Sequence, residues 1–375
     1  MPQKILFLTL KTFSLTGGIE KVCRCLAMVL TSIASKEQQV RMISLCDDCA
    51  DVQEKYFPRQ YFKGFNNNKL KFSIIALRQA LKSDILILSH INLLAIAFLA
   101  KKIRPEKRII LFAHGIEVWR PIRTWKRRFI QRHVEIWAVS DYTSEQMQNL
   151  HHITKSHIEI LNNCLDPFIT IPSSFDKPKG LLKRYQLNID QPVLFTLTRL
   201  SSSELYKGYD LVIKAIPKLL EQFPTLTYLI AGKADQLEKK RIDTLIADLN
   251  LEKHVILVGF LPDEELTDHF LLADVFVMPS RKEGFGIVFI EAAACGCSVI
   301  AGNQDGSVDA LLNGDLGQLI DPTDQTAITE AIVKSLKQPK TPESAAKIQK
   351  LCLQHFNFEN YQKKVVQLLD NRISD

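Results

Sequence analysis

Short apolar runs alternate along the chain with longer segments in which apolar residues recur at helical spacing. This alternation is typical of βαβ units and parallel sheets, so it predicts an α/β fold. Each half of the chain contains six predicted strands. They cover residues 5–10, 39–45, 85–89, 108–113, 135–139 and 158–161, and then 193–198, 227–231, 255–258, 275–279, 299–301 and 317–320.

The periodicity is interrupted at residues 166–180, where three prolines and several polar residues indicate a linker. Two consecutive Rossmann-like halves fit this arrangement better than one large sheet. We therefore expect a first domain over residues 1–166 and a second over 167–355. Residues 356–375 contain a predicted helix that could belong to either half and could pack back on the first domain.

The composition is that of a globular protein with room for about two domains, because 46% of 375 residues are hydrophobic and 24% are charged. Disorder, collagen and coiled coil are excluded. The longest apolar stretch, residues 85–100, is interrupted by polar residues and is shorter than the ~20 residues that span a bilayer. The apolar start at residues 5–8 breaks early and precedes no cleavage site, so we expect a cytoplasmic protein that begins near Met1.

Eight cysteines occur in a chain that is too large and too apolar to need disulfides, which favours reduced cytoplasmic thiols. Cys46 and Cys49 have the spacing of a redox or zinc motif. A zinc ribbon needs a second pair at matching spacing, and none follows.

The net charge of +7 is concentrated between residues 101 and 132, which hold eleven basic and two acidic side chains. A basic surface suits phosphate-bearing small molecules, nucleic acid or an anionic membrane. Apolar residues recur near helical spacing inside this window, so an amphipathic face on anionic lipid and a core-packed helix with a solvated basic face are equally open. These apolar residues are Trp119, Ile122, Trp125, Phe129 and Ile130.

The strongest local pattern covers residues 279–292, directly after the apolar run at 275–278. A strand ends there, a turn flanked by glycines follows, and a helix begins near Gly286. Ligands of parallel sheets bind at the carboxyl ends of strands, where helix N-termini offer free N–H groups to phosphate. Glu283 and Glu291 are about two helical turns apart, so they can bind different hydroxyl-bearing parts of one ligand. Taken singly, either acid is more simply a surface charge.

This arrangement carries a family resemblance. Glu283-x7-Glu291 with Gly284-Phe285-Gly286 between the acids, followed by residues 293–301, resembles the signature of retaining glycosyltransferases of the GT-B fold in glycosyltransferase family 4. The resemblance implies two Rossmann-like domains that face each other across a cleft. It further implies an acceptor on the first domain and a nucleoside diphosphate sugar on the second.

Further positions match the family along most of the chain. Arg199 and Lys207 resemble the two cations that grip the donor diphosphate and neutralise its developing charge. Gly17 and Gly18 resemble the N-terminal glycine loop, where backbone N–H groups can approach phosphate closely. His114, which ends a predicted strand, resembles the histidine that faces the donor sugar. Ser140, Asn163 and Asp166 resemble remaining landmarks of the first half.

The resemblance assigns a role to each candidate residue. Glu291 would hold the ribose and Glu283 a sugar hydroxyl, and the catalytic set is Glu283, His114, Lys207 and Arg199. The base pocket is framed near residues 231–233 and 254–260. The full nucleotide-sugar set is Gly17, Gly18, Arg199, Lys207, Gly232, Val255, Phe285, Gly286, Ile287 and Glu291.

Two departures bear on the donor. Thr198 stands where the family usually has glycine, and residues 302–309 replace the commoner Gly-Gly-x-Pro-Glu. A UDP-hexose or UDP-N-acetylhexosamine is the favoured donor, with GDP-mannose as the other candidate. The expected acceptor is a glycan or a lipid-linked molecule of cell-surface polysaccharide or glycolipid synthesis.

No Asp-x-Asp pair occurs in the chain, so the usual ligands of a metal on a nucleotide diphosphate are missing. We therefore expect no metal and no cofactor. The sequence offers no evident nucleophilic carboxylate, and the family suggests a same-face reaction through an oxocarbenium-like ion.

Other functions remain open from the sequence. A sugar-nucleotide epimerase on a related scaffold would use the nucleotide sugar without an acceptor, and an inactive GT-B-like protein would only bind. No nucleic acid is expected, because RNA-recognition, zinc-finger and helix-turn-helix patterns are absent. A Rossmann dehydrogenase is disfavoured because no Gly-x-Gly-x-x-Gly follows the first strand.

Overall fold

The computed structural model describes residues 3–34, 39–338 and 340–371. The chain forms two compact units, Met1–Pro167 with Phe358–Asp375, and Phe168–Asn357. Each unit is built on one sheet in which every strand pair is parallel. The predicted fold class, two parallel-sheet α/β domains, is therefore confirmed. The predicted start at Met1 and the last four residues of the predicted C-terminal segment 356–375 lie outside the described residues.

The first unit contains a seven-stranded sheet with the order β3-β2-β1-β4-β5-β6-β7. All six strands predicted in this half are present within about two residues. The additional strand, β3, has three residues at the edge of the sheet, too few to show a period. The strands are β1 (Lys4–Thr9), β2 (Gln39–Ser44), β3 (Phe62–Gly64), β4 (Ile85–Leu88), β5 (Arg108–Ala113), β6 (Glu135–Ala138) and β7 (Ile158–Ile160).

Helices cover both faces of this sheet, which explains why its central strands are apolar almost without interruption. Ile85–Leu88 and Ile109–Ala113 are at most 2% exposed. The helices between the strands are α1 (Gly18–Ser32), α2 (Lys69–Lys82), α3 (Leu94–Ile103), α4 (Thr124–His133) and α5 (Asp141–His151).

The second unit contains a six-stranded sheet with the order β10-β9-β8-β11-β12-β13. All six predicted strands are present. They are β8 (Val193–Leu197), β9 (Thr227–Ala231), β10 (Val255–Gly259), β11 (Val275–Met278), β12 (Ser298–Gly302) and β13 (Gln318–Ile320). The helices are α6 (Lys179–Arg184), α7 (Tyr209–Leu220), α8 (Gln236–Asp248), α9 (Leu266–Leu272), α10 (Ile287–Ala294), α11 (Ser307–Ala310), α12 (Gln325–Lys337) and α13 (Pro342–Phe356).

The last helix, α14 (Phe358–Asp370), belongs to the first unit and packs against α1. Arg108, the first residue of β5, donates hydrogen bonds to the backbone carbonyls of Leu368 and Leu369. The same guanidinium pairs with Glu135 of β6 at 2.8 Å. One largely buried basic side chain, 14% exposed, therefore connects α14 to the sheet.

Within the described residues, no helix is both long and apolar enough to cross a membrane. The eight cysteines are free thiols, and six of them are buried. Over the same residues, no three histidine, cysteine or acidic side chains are grouped as a metal site would require. Cys46 and Cys49 are therefore not part of such a group.

Candidate active site

The ion pair between Lys207 and Glu283 lies at the carboxyl edge of the second sheet. Lys207 ends a short turn of 3-10 helix after β8, and Glu283 lies in the loop between β11 and α10. The two loops also meet through their backbones, because Arg281 N donates to Tyr206 O at 3.0 Å. The Lys207 side chain is 15% exposed and the Glu283 side chain is 14% exposed.

Charge keeps Lys207 protonated although it is largely buried. Burial acts to lower the pKa of the Lys207 ammonium, but the adjacent charge and hydrogen bond of Glu283 outweigh it, and the net pKa is raised. A fixed cation at a strand end, beside the start of a helix, is the arrangement that stabilises a phosphate on which negative charge develops.

Hydrogen bonds to its backbone hold Glu283 in place, in addition to the ion pair of its side chain with Lys207. Its N–H donates to Asp305 Oδ2 at 2.7 Å, and its carbonyl accepts from Gly306 N at 2.9 Å. Burial, followed by the charge of Glu283, raises the pKa of Asp305 to about 6. Sequence reasoning noticed the unusual segment 302–309 but did not identify Asp305 as a partner of Glu283.

The remaining candidates of this pattern lie around α10. Gly286 caps the N-terminus of the helix, and Ile287 is its first residue. Phe285 is 2% exposed and packs against Phe356, with ring centroids 5.7 Å apart. Glu291 lies one turn before the end of α10 and is only 3% exposed. It is therefore a buried carboxylate, unlike the surface charge that the residue taken singly would suggest.

Arg199 follows β8 and differs from Lys207 in its exposure. Its side chain is 62% exposed and contacts Glu204 at 3.2 Å. Thr198 precedes it without positive φ, so threonine fits this loop. Gly232, directly after β9, has a φ of 142°, and a Cβ atom there would overlap the carbonyl oxygen of Thr198. Gly232 is thus required by the close approach of two strand-end loops.

Val255 is not brought to this edge. It is the first residue of β10, paired with Tyr228, and therefore lies at the amino end of a parallel strand. At ~3.3 Å per residue it is about 13 Å along the strand from the carboxyl end. Gly259 occupies that end, and its carbonyl accepts from Gly232 N at 2.7 Å. The predicted region 254–260 does reach the edge, but through its last residues.

In the first unit, His114 follows β5 at the carboxyl edge of the sheet. It is 8% exposed. Burial, followed by the positive charge of nearby His90, lowers the pKa of the His114 imidazole to about 3. Its backbone N–H and that of Gly115 donate to Glu117 Oε1 at 2.5 and 3.1 Å. Because its pKa is this low, the His114 ring is neutral. Its Nε2 makes no hydrogen bond within the described residues.

The glycine loop before α1 has ordinary backbone angles. Gly17 caps the helix with a φ of −73°, and neither Gly17 nor Gly18 has positive φ. These two glycines therefore do not use the positive φ that glycine tolerates. A Cβ atom on Gly18 would meet nothing within 4 Å, so the backbone at this helix start is open to approach.

Two buried charged residues hold this loop, and sequence reasoning missed both. Asp47 accepts hydrogen bonds from the backbone N–H groups of Thr12 and Ser14 at 2.8 and 3.0 Å. Arg24 donates to the carbonyls of Thr12 and Leu15 at 3.1 and 3.2 Å. The only available signal was the position of Asp47 directly after a strand, inside the Cys46–Cys49 motif.

The other landmarks of the first half have structural partners. Ser140 caps α5 by accepting from Thr143 N at 3.0 Å. Asp166 accepts from the hydroxyl of Tyr56 at 2.6 Å. Asn163 is 6% exposed.

Comparison with protein families decides the identity of this arrangement. Residues 16–167 match the model of Glycosyltransferase Family 4, and residues 181–351 match that of Glycosyl transferases group 1. The chain belongs to glycosyltransferase family 4. The two models together account for most of both units.

Several characterised relatives match parts of this family 4 chain. It is 34% identical over 245 residues to a GDP-mannose-dependent alpha-(1-6)-phosphatidylinositol monomannoside mannosyltransferase of Mycolicibacterium smegmatis. The matched region covers 62% of each chain. It is 31% identical over 161 residues to a D-inositol 3-phosphate glycosyltransferase of Acidothermus cellulolyticus, covering 41% of this chain and 35% of the relative. The matched region thus spans less than two thirds of the length of these relatives.

Solved structures share the fold at lower identity. Anabaena HepE, crystallised with UDP and glucose, superposes with a TM-score of 0.79 at 20% identity and covers 98% of this chain and 99% of its own. Sucrose-phosphate synthase of Thermosynechococcus elongatus superposes with a TM-score of 0.74 at 19% identity, covering 98% of both chains. These neighbours show the GT-B fold.

Proposed function

We propose that this family 4 chain transfers a sugar from a nucleoside diphosphate sugar to an acceptor, with retention of the anomeric configuration and without a metal ion. The observation that carries the proposal is the Lys207–Glu283 ion pair at the carboxyl edge of the second sheet. An almost buried cation and a carboxylate there match the two needs of the donor, a charged diphosphate and a hydroxyl-bearing sugar.

Each side chain has one task in this reaction. Lys207 and the exposed Arg199 neutralise the diphosphate as the bond to the sugar breaks. Glu283 accepts a hydrogen bond from a sugar hydroxyl, and buried Glu291 accepts from the ribose. His114, the residue that the family resemblance assigns to the sugar, is neutral because of its lowered pKa and would add no positive charge to an oxocarbenium-like ion. An oxygen of the leaving phosphate takes the proton from the acceptor hydroxyl.

The relatives support GDP-mannose as the first donor to test, ahead of the UDP-sugars that the sequence alone favoured. The mannosyltransferase named for GDP-mannose is 34% identical, whereas the neighbour crystallised with UDP is 20% identical. A lipid-linked acceptor is likewise supported by the phosphatidylinositol mannoside in the name of that relative. An epimerase or a binding protein would leave any acceptor unglycosylated.

Glu291→Ala should remove most of the stabilisation of the protein by its donor. A ligand at 100 times its Kd stabilises the folded state by about 2.7 kcal/mol, which is about 5–10 °C in Tm for a domain of this size. Thermal unfolding with GDP-mannose, UDP-glucose, GDP and UDP identifies the donor that raises the Tm of the unmodified protein. Loss of that rise is expected in Glu291→Ala, because the ribose hydroxyls lose a buried acceptor.

Glu330→Ala is the matched control, since Glu330 is an exposed glutamate on α12. It should keep the full rise in Tm. An unchanged rise in Glu291→Ala would contradict the assigned role, and the absence of a rise with every nucleotide would contradict the proposed function.

A second candidate property is attachment to an anionic membrane through the first unit, although not by the amphipathic face that was one of the two alternatives left open by the sequence. Phe129 and Ile130 are buried, and Trp119 and Ile122 pack against the same core. Only Trp125 of the five apolar residues is exposed. These five residues are therefore mainly a core contact, which is the other of the two alternatives left open by the sequence.

Several basic residues of the window also have internal partners. Lys107 is buried and donates to the carbonyl of Ser83, and Lys126 donates to the carbonyl of Ile91 at 3.2 Å. Arg108 binds Glu135 and α14, as described above. The exposed basic residues are Lys102, Arg104, Arg120, Arg123, Arg128 and Arg132.

The structure adds exposed apolar residues around this basic surface. Leu99 and Ile103 of α3 are 47% and 60% exposed, and Leu70 of α2 is 73% exposed. Phe98 of α3 packs against Trp125 of α4, with ring centroids 5.4 Å apart, so these two helices are adjacent. The helices α2, α3 and α4 contain no acidic residue. Apolar side chains on helices that carry basic and no acidic residues fit the interface of an anionic bilayer.

Replacing Lys102, Arg128 and Arg132 by glutamine should weaken binding to vesicles that contain phosphatidylglycerol. Each basic residue near an anionic surface contributes about 1 kcal/mol, so the triple variant should lose about 100-fold in partitioning at low salt. Co-sedimentation with phosphatidylglycerol–phosphatidylcholine and pure phosphatidylcholine vesicles measures this loss. The control replaces Lys218, Lys240 and Lys253, exposed residues of the second unit, by glutamine. Equal losses in both triple variants, or no binding by the unmodified protein, would contradict membrane attachment.

A further inference from the structure

Asp305 is an almost completely buried carboxylate in the loop after β12. It is 1% exposed, and three donors surround it. Its Oδ2 accepts from Ser280 Oγ at 2.8 Å and from Glu283 N at 2.7 Å, and its Oδ1 accepts from Ser307 N at 2.9 Å. A carboxylate at this depth is tolerated because its oxygens have these hydrogen bonds.

Gly306 completes the attachment to the neighbouring loop. Its N–H donates to the carbonyl of Glu283 at 2.9 Å. A Cβ atom on Gly306 would overlap the carbonyl oxygen of Gly284, so only glycine allows the two loops to approach this closely. Residues 305 and 306 thus bind both backbone polar groups of Glu283.

This double attachment determines where the Glu283 side chain can reach. With its N–H and its carbonyl both bonded, the peptide plane on each side of Glu283 is restrained, and only side-chain rotations remain. The carboxylate then meets Lys207 across the gap between the two loops. The anchor itself lies in the segment 302–309, after β12.

We propose that Asp305 is a positioning residue for sugar transfer. Together with Gly306 it holds the Glu283 carboxylate in place beside Lys207 and the sugar of the donor. The proposal rests on the function proposed above. Asp305 touches no substrate in this role. Its effect reaches the reaction through Glu283 alone, because a misplacement of about 1 Å at a reacting group can lower the rate about 100-fold.

The test is a double-mutant cycle on kcat/KM for the donor. Asp305→Ala should lower kcat/KM about 10- to 100-fold, mainly through kcat. The Kd of GDP or UDP, which carry no sugar, should change no more than about twofold because Lys207, Arg199 and Glu291 are unaltered. If Asp305 acts only through Glu283, adding Asp305→Ala to Glu283→Gln should cause little further loss.

Conservative variants separate positioning from loss of folding. Asp305→Asn keeps the shape but must turn an NH2 group toward one backbone N–H, so an intermediate loss is expected. Gly306→Ala displaces the same backbone with the carboxylate intact and should reproduce the kcat loss if Asp305→Ala does not fold. Asp315→Asn, an exposed aspartate in the next turn, is the matched control and should behave as the unmodified protein.

The outcomes distinguish the two proposals. Additive losses in the cycle, or equal losses of nucleoside diphosphate and nucleotide-sugar binding in Asp305→Ala, would overturn the positioning role while transfer by the unmodified protein stands. Failure of the unmodified protein to transfer a sugar from any nucleotide donor would overturn the proposed function itself. Non-additive losses with unchanged binding of the diphosphate would support the role of Asp305.

Discussion

Lys207→Ala is expected to lower kcat/KM for sugar transfer about 100- to 1,000-fold, since a preorganised charge on the leaving group contributes that much to catalysis. The variant should also be less stable. Glu283, only 14% exposed, loses its cation, and breaking such a pair by removing one partner costs up to about 3–5 kcal/mol when the remaining charge is fully buried. Steady-state kinetics and urea unfolding measure the two effects separately.

A second substitution separates the catalytic effect from the loss of stability. In Lys207→Ala with Glu283→Gln, no unpaired charge remains, so stability should recover while transfer stays far below that of Glu283→Gln alone. Lys218→Ala removes an exposed lysine from α7 and is the matched control for charge. Transfer by the double variant at the level of Glu283→Gln alone would show that Lys207 only neutralises Glu283, which would contradict its role on the diphosphate.

Arg108→Ala is expected to destabilise the first unit by about 3–5 kcal/mol. The substitution leaves Glu135, which is 8% exposed, without its cation, and it removes the hydrogen bonds from the carbonyls of Leu368 and Leu369 in α14. Urea unfolding should report the lost free energy of unfolding. Hydrogen exchange should show that α14 opens more readily than in the unmodified protein.

The pH dependence of this variant has a definite sign. Burial raises the pKa of Glu135, and Arg108 opposes that rise. Without Arg108 the folded-state pKa rises further, so the folded state binds the proton more tightly than the unfolded state does. Stability is then lost as pH increases from the pKa of Glu135 in the unfolded chain to its higher pKa in the folded state. The variant should therefore be more destabilised at about pH 8 than at about pH 5.

Arg104→Ala is the control for Arg108→Ala, because Arg104 lies four residues earlier and forms an exposed pair with Glu106. Fully exposed pairs contribute little to stability because water and salt screen them, so little change is expected. If the two variants lost similar stability, or if the loss in Arg108→Ala were the same at both pH values, the structural role of Arg108 would be wrong.

The alternation of apolar and polar positions was enough to locate twelve of the thirteen strands among the described residues. Strands buried on both faces are continuous apolar runs, and this property is local. The Glu283-x7-Glu291 pattern could also be recognised, since its spacing lies within one loop and one helix. The turn near Gly286 and the start of α10 followed from the same local pattern.

The role of individual charges could not be assigned in this way. Lys107 and Lys126 look like the other cations of the basic window, yet they donate to carbonyls of distant loops. Trp119 and Ile122 have helical spacing with Trp125, but they precede α4 and pack on the core. A local period does not reveal which side of an element faces its neighbours.

The sequence by itself therefore determined the fold class, the strand positions and the family, because each of these depends on short-range patterns or on motifs of fixed spacing. Only the tertiary structure decided the partners of the charged residues. Asp305 reaches Glu283 across 22 positions and Arg108 reaches Leu368 across 260. Such contacts arise when separate strand ends meet at one edge of a sheet or when a terminal helix returns to it, and no pattern within either segment encodes that meeting.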